Sequence, residues 1–249
     1  MRRLFLVLLL LCAATIAFSQ DERRIASPDG QIEFRIRVAR PEPAALNQIA
    51  YEVRFHGKPL IETSFLGLDI LYQPLLGAKL GLLVSHTSNT EHYQSLLAEY
   101  MQDGSTGRLI NVEVRAYNDG VAFRYVVPKS NPLEDLRIEG EETEFHFAED
   151  TEAVKLLAPD HPVTLPFAAE EPGLGWVAIN EVPQANYGKM SLVRGEDTTL
   201  VSRLAKNGGT PNLAFDGKTP LTGPWRVISV GSSQSQLAES KIVNRLVEH

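Results

Sequence analysis

Asn111-Val112-Glu113-Val114-Arg115-Ala116-Tyr117, then Asn118-Asp119-Gly120, then Val121-Ala122-Phe123-Arg124-Tyr125-Val126-Val127: polar and apolar residues alternate on both flanks of a short turn segment. A period of two sends successive side chains to opposite faces, so each flank reads as a strand with one buried side. Asn and Asp tolerate tight turns and Gly closes them, so residues 111–127 predict an antiparallel β-hairpin.

The same period recurs on either side. Ile32, Phe34, Ile36 and Val38 alternate with Glu33, Arg35 and Arg37, after a turn, Ser27-Pro28-Asp29-Gly30, in which Pro fixes φ and Gly supplies a positive φ. Residues 51–55 form a further strand, and His56-Gly57-Lys58-Pro59 turns it toward Leu60-Ile61 as its hairpin partner. Shorter apolar segments at 66–71, 81–85, 144–148, 154–157, 175–179, 188–193, 200–204 and 225–230 complete at least ten strand candidates. Two stretches carry a helical period. Tyr93, Leu96, Leu97, Tyr100 and Met101 fit one face of a helix capped by Ser88 or Asn89, and residues 237–247 carry a weaker stripe. The expected fold is all-β, with stacked antiparallel sheets and one or two short helices.

Composition agrees with this and narrows the function. The 249 residues are 43% hydrophobic and 22% charged, with a net charge of −7, as in ordinary globular proteins. The acidic balance argues against nucleic acid as a partner, which requires a basic face. Residues 1–19 read as a secretory signal peptide: Arg2 and Arg3 precede an apolar run at 4–11, and Ala17-Phe18-Ser19 is a small-x-small cleavage site. The run is short for a membrane span, so an exported, periplasmic or secreted chain with no membrane association after cleavage is expected. Cleavage would remove Arg2 and Arg3, leaving 22 basic against 31 acidic residues and a charge of −9, and would remove Cys12, the sole cysteine. Disulfides, thiol catalysis and zinc–thiolate sites are thereby excluded, and residues 20–249 form one domain held by its core.

Familiar catalytic motifs are missing. There is no phosphate-cradling loop, GxSxG, HExxH or EF-hand, and Asn207-Gly208-Gly209-Thr210-Pro211 reads as a plain loop. The histidines, His56, His86, His92, His146, His161 and His249, form no ligand pair at i, i+4, and the six-residue spacing of His86 and His92 is a weak hint of a site. Glu139, Glu141, Glu142 and Glu144 read as a solvated strand edge. Glu181 stands out among the acids because it follows the apolar run Trp176-Val177-Ala178-Ile179 and precedes Pro183. A carboxylate at the mouth of a core strand is either solvated or held by a cation or donor, and both readings stay open. Trp176 and Trp225 either stack on a sugar face or fill the core.

Several segments together resemble the N-terminal domain of glycoside hydrolase family 97, the secreted bacterial α-glucosidases and α-galactosidases. They are Ser27-Pro28-Asp29-Gly30, Gly57-Lys58-Pro59-Leu60 with Leu66-Gly67-Leu68, residues 117–125, residues 176–181, and Pro224-Trp225-Arg226-Val227-Ile228. Their order and spacing run through essentially the whole chain after the leader. The resemblance implies a β-supersandwich, similar to the fold of galactose mutarotases, that packs against a catalytic (β/α)8 barrel. Nothing in the sequence resembles that barrel, and residues 242–247 fall about where the family enters the linker to it. By resemblance, Glu181 matches a Glu that this domain donates to a calcium site otherwise built by the barrel. The family has His or Thr before that Glu and Ala after it, where this chain has Asn180 and Val182. Tyr187 matches a following Tyr, and Asn180, Trp176, Ser202 and Arg203 stand where substrate would be met. One carboxylate makes a poor calcium site, so calcium is expected only with a barrel present.

The leading expectation is an exported, carbohydrate-associated module without catalysis of its own, which binds sugar or supports a barrel in cis or in trans. The alternatives are a truncated record of a complete α-glycosidase, a mutarotase-like epimerase using His146 or His161 with a nearby Glu, and a structural module of the periplasm.

Overall fold

The computed structural model describes residues 21–103, 107–206 and 212–247. The segment expected to be a signal peptide, with Cys12, the segment 207–211 expected to be a loop, and His249 lie outside the described residues.

Eighteen strands and three short helices follow one another in the described chain. The strands are β1 (Arg23–Ala26), β2 (Ile32–Ala39), β3 (Gln48–Phe55), β4 (Lys58–Leu66), β5 (Leu68–Ile70), β6 (Leu80–Asn89), β7 (Gln94–Gln102), β8 (Leu109–Tyr117), β9 (Gly120–Val127), β10 (Asp135–Glu141) and β11 (Glu144–His146). After helix α1 (Glu152–Lys155) come β12 (Phe167–Glu171), β13 (Gly175–Val182), β14 (Met190–Arg194), β15 (Thr199–Leu204), β16 (Phe215–Lys218), β17 (Leu221–Thr222) and β18 (Trp225–Gly231). Helices α2 (Gln234–Ala238) and α3 (Ile242–Val247) end the described chain. One large sheet runs β12-β13-β18-β9-β8-β7-β6, with β17 also on β9, and smaller sheets run β1-β2-β3-β4, β16-β10-β5 and β11-β15-β14. All the ladders are antiparallel. These are the stacked antiparallel sheets that the alternation predicts, in the all-β sandwich-like architecture that the resemblance implies.

The hairpin at 111–127 is β8 and β9, paired from Asn111 with Val126 to Tyr117 with Gly120. Gly120 has φ +150°, and a Cβ there would lie 2.3 Å from the carbonyl oxygen of Ile228 on neighbouring β18. Glycine is therefore required twice over, by dihedral and by close approach. The inward residues of the sheets meet in one core. Phe34 and Tyr51 stack with centroids 5.4 Å apart, and Phe123 leans on Tyr51 at 5.1 Å and on Phe145 at 6.5 Å, tying β2 and β3 to β9 and β11. On the outer face, Ile242 and Leu246 of α3 cover Tyr117, Ala122, Trp225 and Val227. Covered on both faces, β18 is buried along its whole length, which is why its sequence is a nearly continuous apolar run rather than an alternation.

Two expected elements are corrected. Residues 93–101 are not a helix: residues 94–102 form β7 between β6 and β8, with Leu96, Ala98, Tyr100 and Gln102 buried in strict alternation. The apparent helical stripe mixes Leu96 and Tyr100 of the buried face with Leu97 and the 39%-exposed Met101 of the other. Ladder partners on both sides outweigh a weak local preference. The strand expected at 154–157 is instead the single turn α1, which buries Val154. The C-terminal stripe is two helices, α2 and α3, broken around Ser240, which with Lys241 bonds the Asp119 carboxylate.

Candidate functional site

Arg226 organises the site. It lies in β18 with its side chain fully buried, an unusual position for a cation and one that requires counter-charge. Register supplies one partner: antiparallel pairing of β13 with β18 sets Glu181 directly opposite Arg226, and Nη1 donates to Glu181 Oε2 at 2.7 Å. The second comes from the end of β10. Arg226 Nη2 donates to Glu141 Oε1 at 2.6 Å and Nε to Glu141 Oε2 at 3.0 Å, a bidentate fork. Tyr187 Oη donates to Glu141 Oε1 at 2.8 Å, and Thr143 Oγ1 to Glu141 Oε2 at 3.0 Å. Burial pulls the Arg226 pKa down, but the facing carboxylates, Glu141 first, more than offset it, so the guanidinium is held above its ordinary value and stays charged. Burial and the Glu141 charge hold the Tyr187 phenol far above the usual tyrosine range, so it serves only as a neutral donor.

Glu181 is the partly open end of this network, its side chain 10% exposed. Oε1 accepts the Met190 backbone N–H at 3.0 Å, so both oxygens are engaged. It borders an open depression of 560 Å³ together with Asn180, Lys189, Ser191 and Arg203. Pairing of Ser191 with Arg203 between β14 and β15 carries the last two there. The depression therefore offers a fixed carboxylate, an amide, a hydroxyl and two exposed cations within an otherwise apolar wall, groups suited to ligands bearing several hydroxyls.

Of the residues singled out from sequence, Asn180, Glu181 and Arg203 meet at this depression and Tyr187 stands behind it. Ser202 does not: alternation turns it to the other face of β15, where it is buried, donates to Glu141 O at 2.8 Å and accepts from Thr143 N at 3.3 Å. Trp176 sits half-buried toward the far end of β13, about 13 Å from Asn180 at a strand's rise per residue. Trp225 is 5% exposed, with the Arg124 and Arg115 guanidinium carbons 4.2 and 4.9 Å from its ring centroid, so it is core rather than a sugar platform. The acidic cluster is corrected in one member: Glu142 is exposed, but Glu141 is buried as the main partner of Arg226.

A family description, Glycosyl-hydrolase 97 N-terminal, matches residues 25–162 and 154–248. The chain belongs to that family. A retaining alpha-galactosidase of Bacteroides thetaiotaomicron is 24% identical over 164 residues, 60% of this chain and 22% of the relative. A family 97 enzyme from Pseudoalteromonas sp. strain K8, solved with acarbose, superposes with a TM-score of 0.72 at 21% identity, over 88% of this chain and 37% of that one. A beta-arabinopyranosidase structure superposes at 0.70 with 19% identity, over 85% and 40%. This family 97 domain thus spans well under half the length of these relatives.

The calcium role that the resemblance gives Glu181 can be tested against the geometry. Calcium takes about six to eight oxygens, yet no group of three or more His, Cys, Asp or Glu gathers in metal-holding geometry among the described residues. The Glu181 carboxylate already has a guanidinium at 2.7 Å and a backbone N–H at 3.0 Å. The residues of this family 97 domain do not fit a calcium site by themselves. Sequence reading missed Arg226 and Glu141 as site residues. An arginine inside the run Trp225-Arg226-Val227-Ile228 was the available signal, since a cation in a buried strand must find carboxylates.

A second cavity, of 650 Å³, is lined by Glu62, His146, Glu149, Lys155, Arg194 and Asp197. His146 Nε2 stands 4.0 Å from Glu62 Oε2. His161 instead bonds the Pro159 carbonyl through Nδ1 at 3.1 Å.

Proposed function

We propose that this chain is an exported, carbohydrate-associated domain that supports a catalytic barrel, in cis or in trans, and presents the depression around Glu181 as one wall of a composite glycosidase site. The observation that carries this reading is the fixing of Glu181: Arg226 and the Met190 N–H hold its carboxylate at the rim, beside Asn180 and Arg203. A rigidly held carboxylate orients sugar hydroxyls at small entropic cost, which is the use of a preorganised wall. Proton transfer at the glycosidic bond needs a second, correctly spaced carboxyl group; Glu141, the carboxylate nearest by connectivity, is buried and spent on Arg226, so the acid–base pair is assigned to the barrel. The test is hydrolysis of aryl α-glucosides and α-galactosides by the purified chain, alone and together with a family 97 barrel. Activity that needs the barrel and falls on Glu181→Gln supports the reading. Turnover by the chain alone that vanishes with Glu181→Gln overturns it.

One observation favours a second reading. His146 and Glu62 converge in the larger cavity, and an imidazole beside a carboxylate is the pair that sugar-ring opening and closure would use, as in a mutarotase-like epimerase. Polarimetry on fresh α-glucose separates the two: acceleration by the chain that is lost in His146→Ala would favour the epimerase.

A further inference from the structure

A sheet edge offers unpaired N–H and C=O groups to any passing strand, and proteins guard such edges with charge, proline or short length. Leaving aside β17, a two-residue strand paired only with β9, eight strands end the four sheets here: β1 and β4, β16 and β5, β11 and β14, β12 and β6. Seven carry a formal charge within the strand: Arg23 and Arg24 in β1, Lys58 and Glu62 in β4, Asp216 and Lys218 in β16, Asp69 in β5, Glu144 in β11, Arg194 in β14, and Glu170 and Glu171 in β12. The eighth, β6, reads Leu80-Gly81-Leu82-Leu83-Val84-Ser85-His86-Thr87-Ser88-Asn89, with no Asp, Glu, Lys, Arg or Pro. At ten residues it is also the longest strand described. It pairs with β7 on one side. On its other side Asn47 caps the backbone of Leu80, and among the described residues no further backbone hydrogen bond beyond those to β7 engages residues 81–89. Leu83 and Val84 are 52% and 41% exposed.

We propose that β6 is an association edge and that its occupant is β6 of a second copy of this chain, joined antiparallel about a two-fold axis so that the large sheet continues across the dimer. Charge selects this partner. A two-fold contact sets a strand against itself, so any charge within it would meet its like or be stripped of water beside it. Because β6 carries no Asp, Glu, Lys or Arg, no register of the self-pairing sets two such charges of the strand directly opposite one another, and the exposed Leu83 and Val84 lose water on contact. The formal charges found against it among the described residues, Arg23 Nε 2.9 Å from Ser85 Oγ and Glu99 3.8 Å from His86 Nε2, belong to β1 and β7. Apart from the two-residue β17, the other edges of a second copy would each bring a charged side chain to the junction, so β6 itself is the neutral match of comparable length. The strand bulges between Leu82 and Val84, which increases its local twist.

Sedimentation equilibrium of the purified chain reads the state directly. The expected mass is that of two chains, with amides of residues 81–88 gaining hydrogen-exchange protection as concentration rises. Val84→Lys should raise the dissociation constant about tenfold or more, whereas Val84→Thr, which keeps a β-branched side chain, should leave the dimer in place. Val84 is exposed, so circular dichroism and Tm of both variants should match the parent. A single-chain mass at every concentration overturns the proposal. So does a dimer indifferent to Val84→Lys, or protection at 81–88 that is independent of concentration and assigns the edge to another segment.

Discussion

Arg226 shows what one residue decides here. Its guanidinium is shared by Glu141 and Glu181 and, like the Glu141 side chain, is fully buried, so removing it leaves Glu141 buried and uncompensated. Arg226→Met should therefore cost about 3–5 kcal/mol in urea unfolding. Glu181→Gln, at the partly open end, keeps an acceptor for Met190 N–H and should cost about 1–2 kcal/mol. Because Glu181 is already paired, calcium or EDTA should leave the Tm of the isolated chain unchanged; a rise with calcium that Glu181→Gln abolishes would contradict the pairing. Glu171 is the complementary case. It is buried with Thr151 Oγ1 donating to it at 2.7 Å, and burial, only partly offset by that bond, pushes its pKa up to about 7 from an ordinary 4.5. The folded state then holds a proton that the unfolded chain releases, so this contribution is full below pH 4.5 and is lost as pH rises through 7. Glu171→Gln should match the parent near pH 4 and exceed it at pH 8 by on the order of 2 kcal/mol. Sequence pointed to Glu181 through its place after an apolar run. It did not reveal Glu141, because a glutamate among Glu139, Glu142 and Glu144 looks like any solvated acid until β10 delivers it to Arg226.

At the scale of elements, alternation carried most of the information. The β8–β9 hairpin, β2 with β3, and β13, β15 and β18 all lie where periodicity or apolar runs put them. Gly120 tests the hairpin: Gly120→Ala forces a Cβ against the Ile228 carbonyl at an unfavourable φ, and should cost about 1–3 kcal/mol by thermal unfolding. The failures share one cause. In β7 the spacing of Leu96, Leu97, Tyr100 and Met101 satisfies a helical face as well as a strand, and only the neighbours β6 and β8 choose between them. In α1 the apolar residues at 154–157 are too few to tell a turn of helix from a short strand.

For the whole molecule, the layers stand or fall together. Phe123 contacts Phe34, Tyr51 and Phe145, drawn from β2, β3 and β11, so Phe123→Ala should cost about 3–5 kcal/mol and leave a single cooperative transition with coincident near- and far-ultraviolet signals. Family membership rests on this architecture as a whole, since no short motif is diagnostic and the match runs through 25–162 and 154–248. The same breadth explains why the domain reads easily from sequence while its site does not. A core draws on dozens of positions and tolerates noise; the network that anchors the site draws on four side chains from β10, β13, β18 and the turn before β14.

By itself, the sequence determined that this chain folds as antiparallel sheets, where its clearest turn closes, and which carboxylate at a strand end merited scrutiny, because period, turn chemistry and composition are local properties. Only the tertiary structure decided that Arg226, itself anchored by Glu141, holds that carboxylate, that Ser202 faces inward while Arg203 faces the depression, and that β6 is the one long uncharged edge. Those facts depend on which strands become neighbours, and neighbours far apart in the chain are chosen by the burial of the whole core rather than by any segment within it.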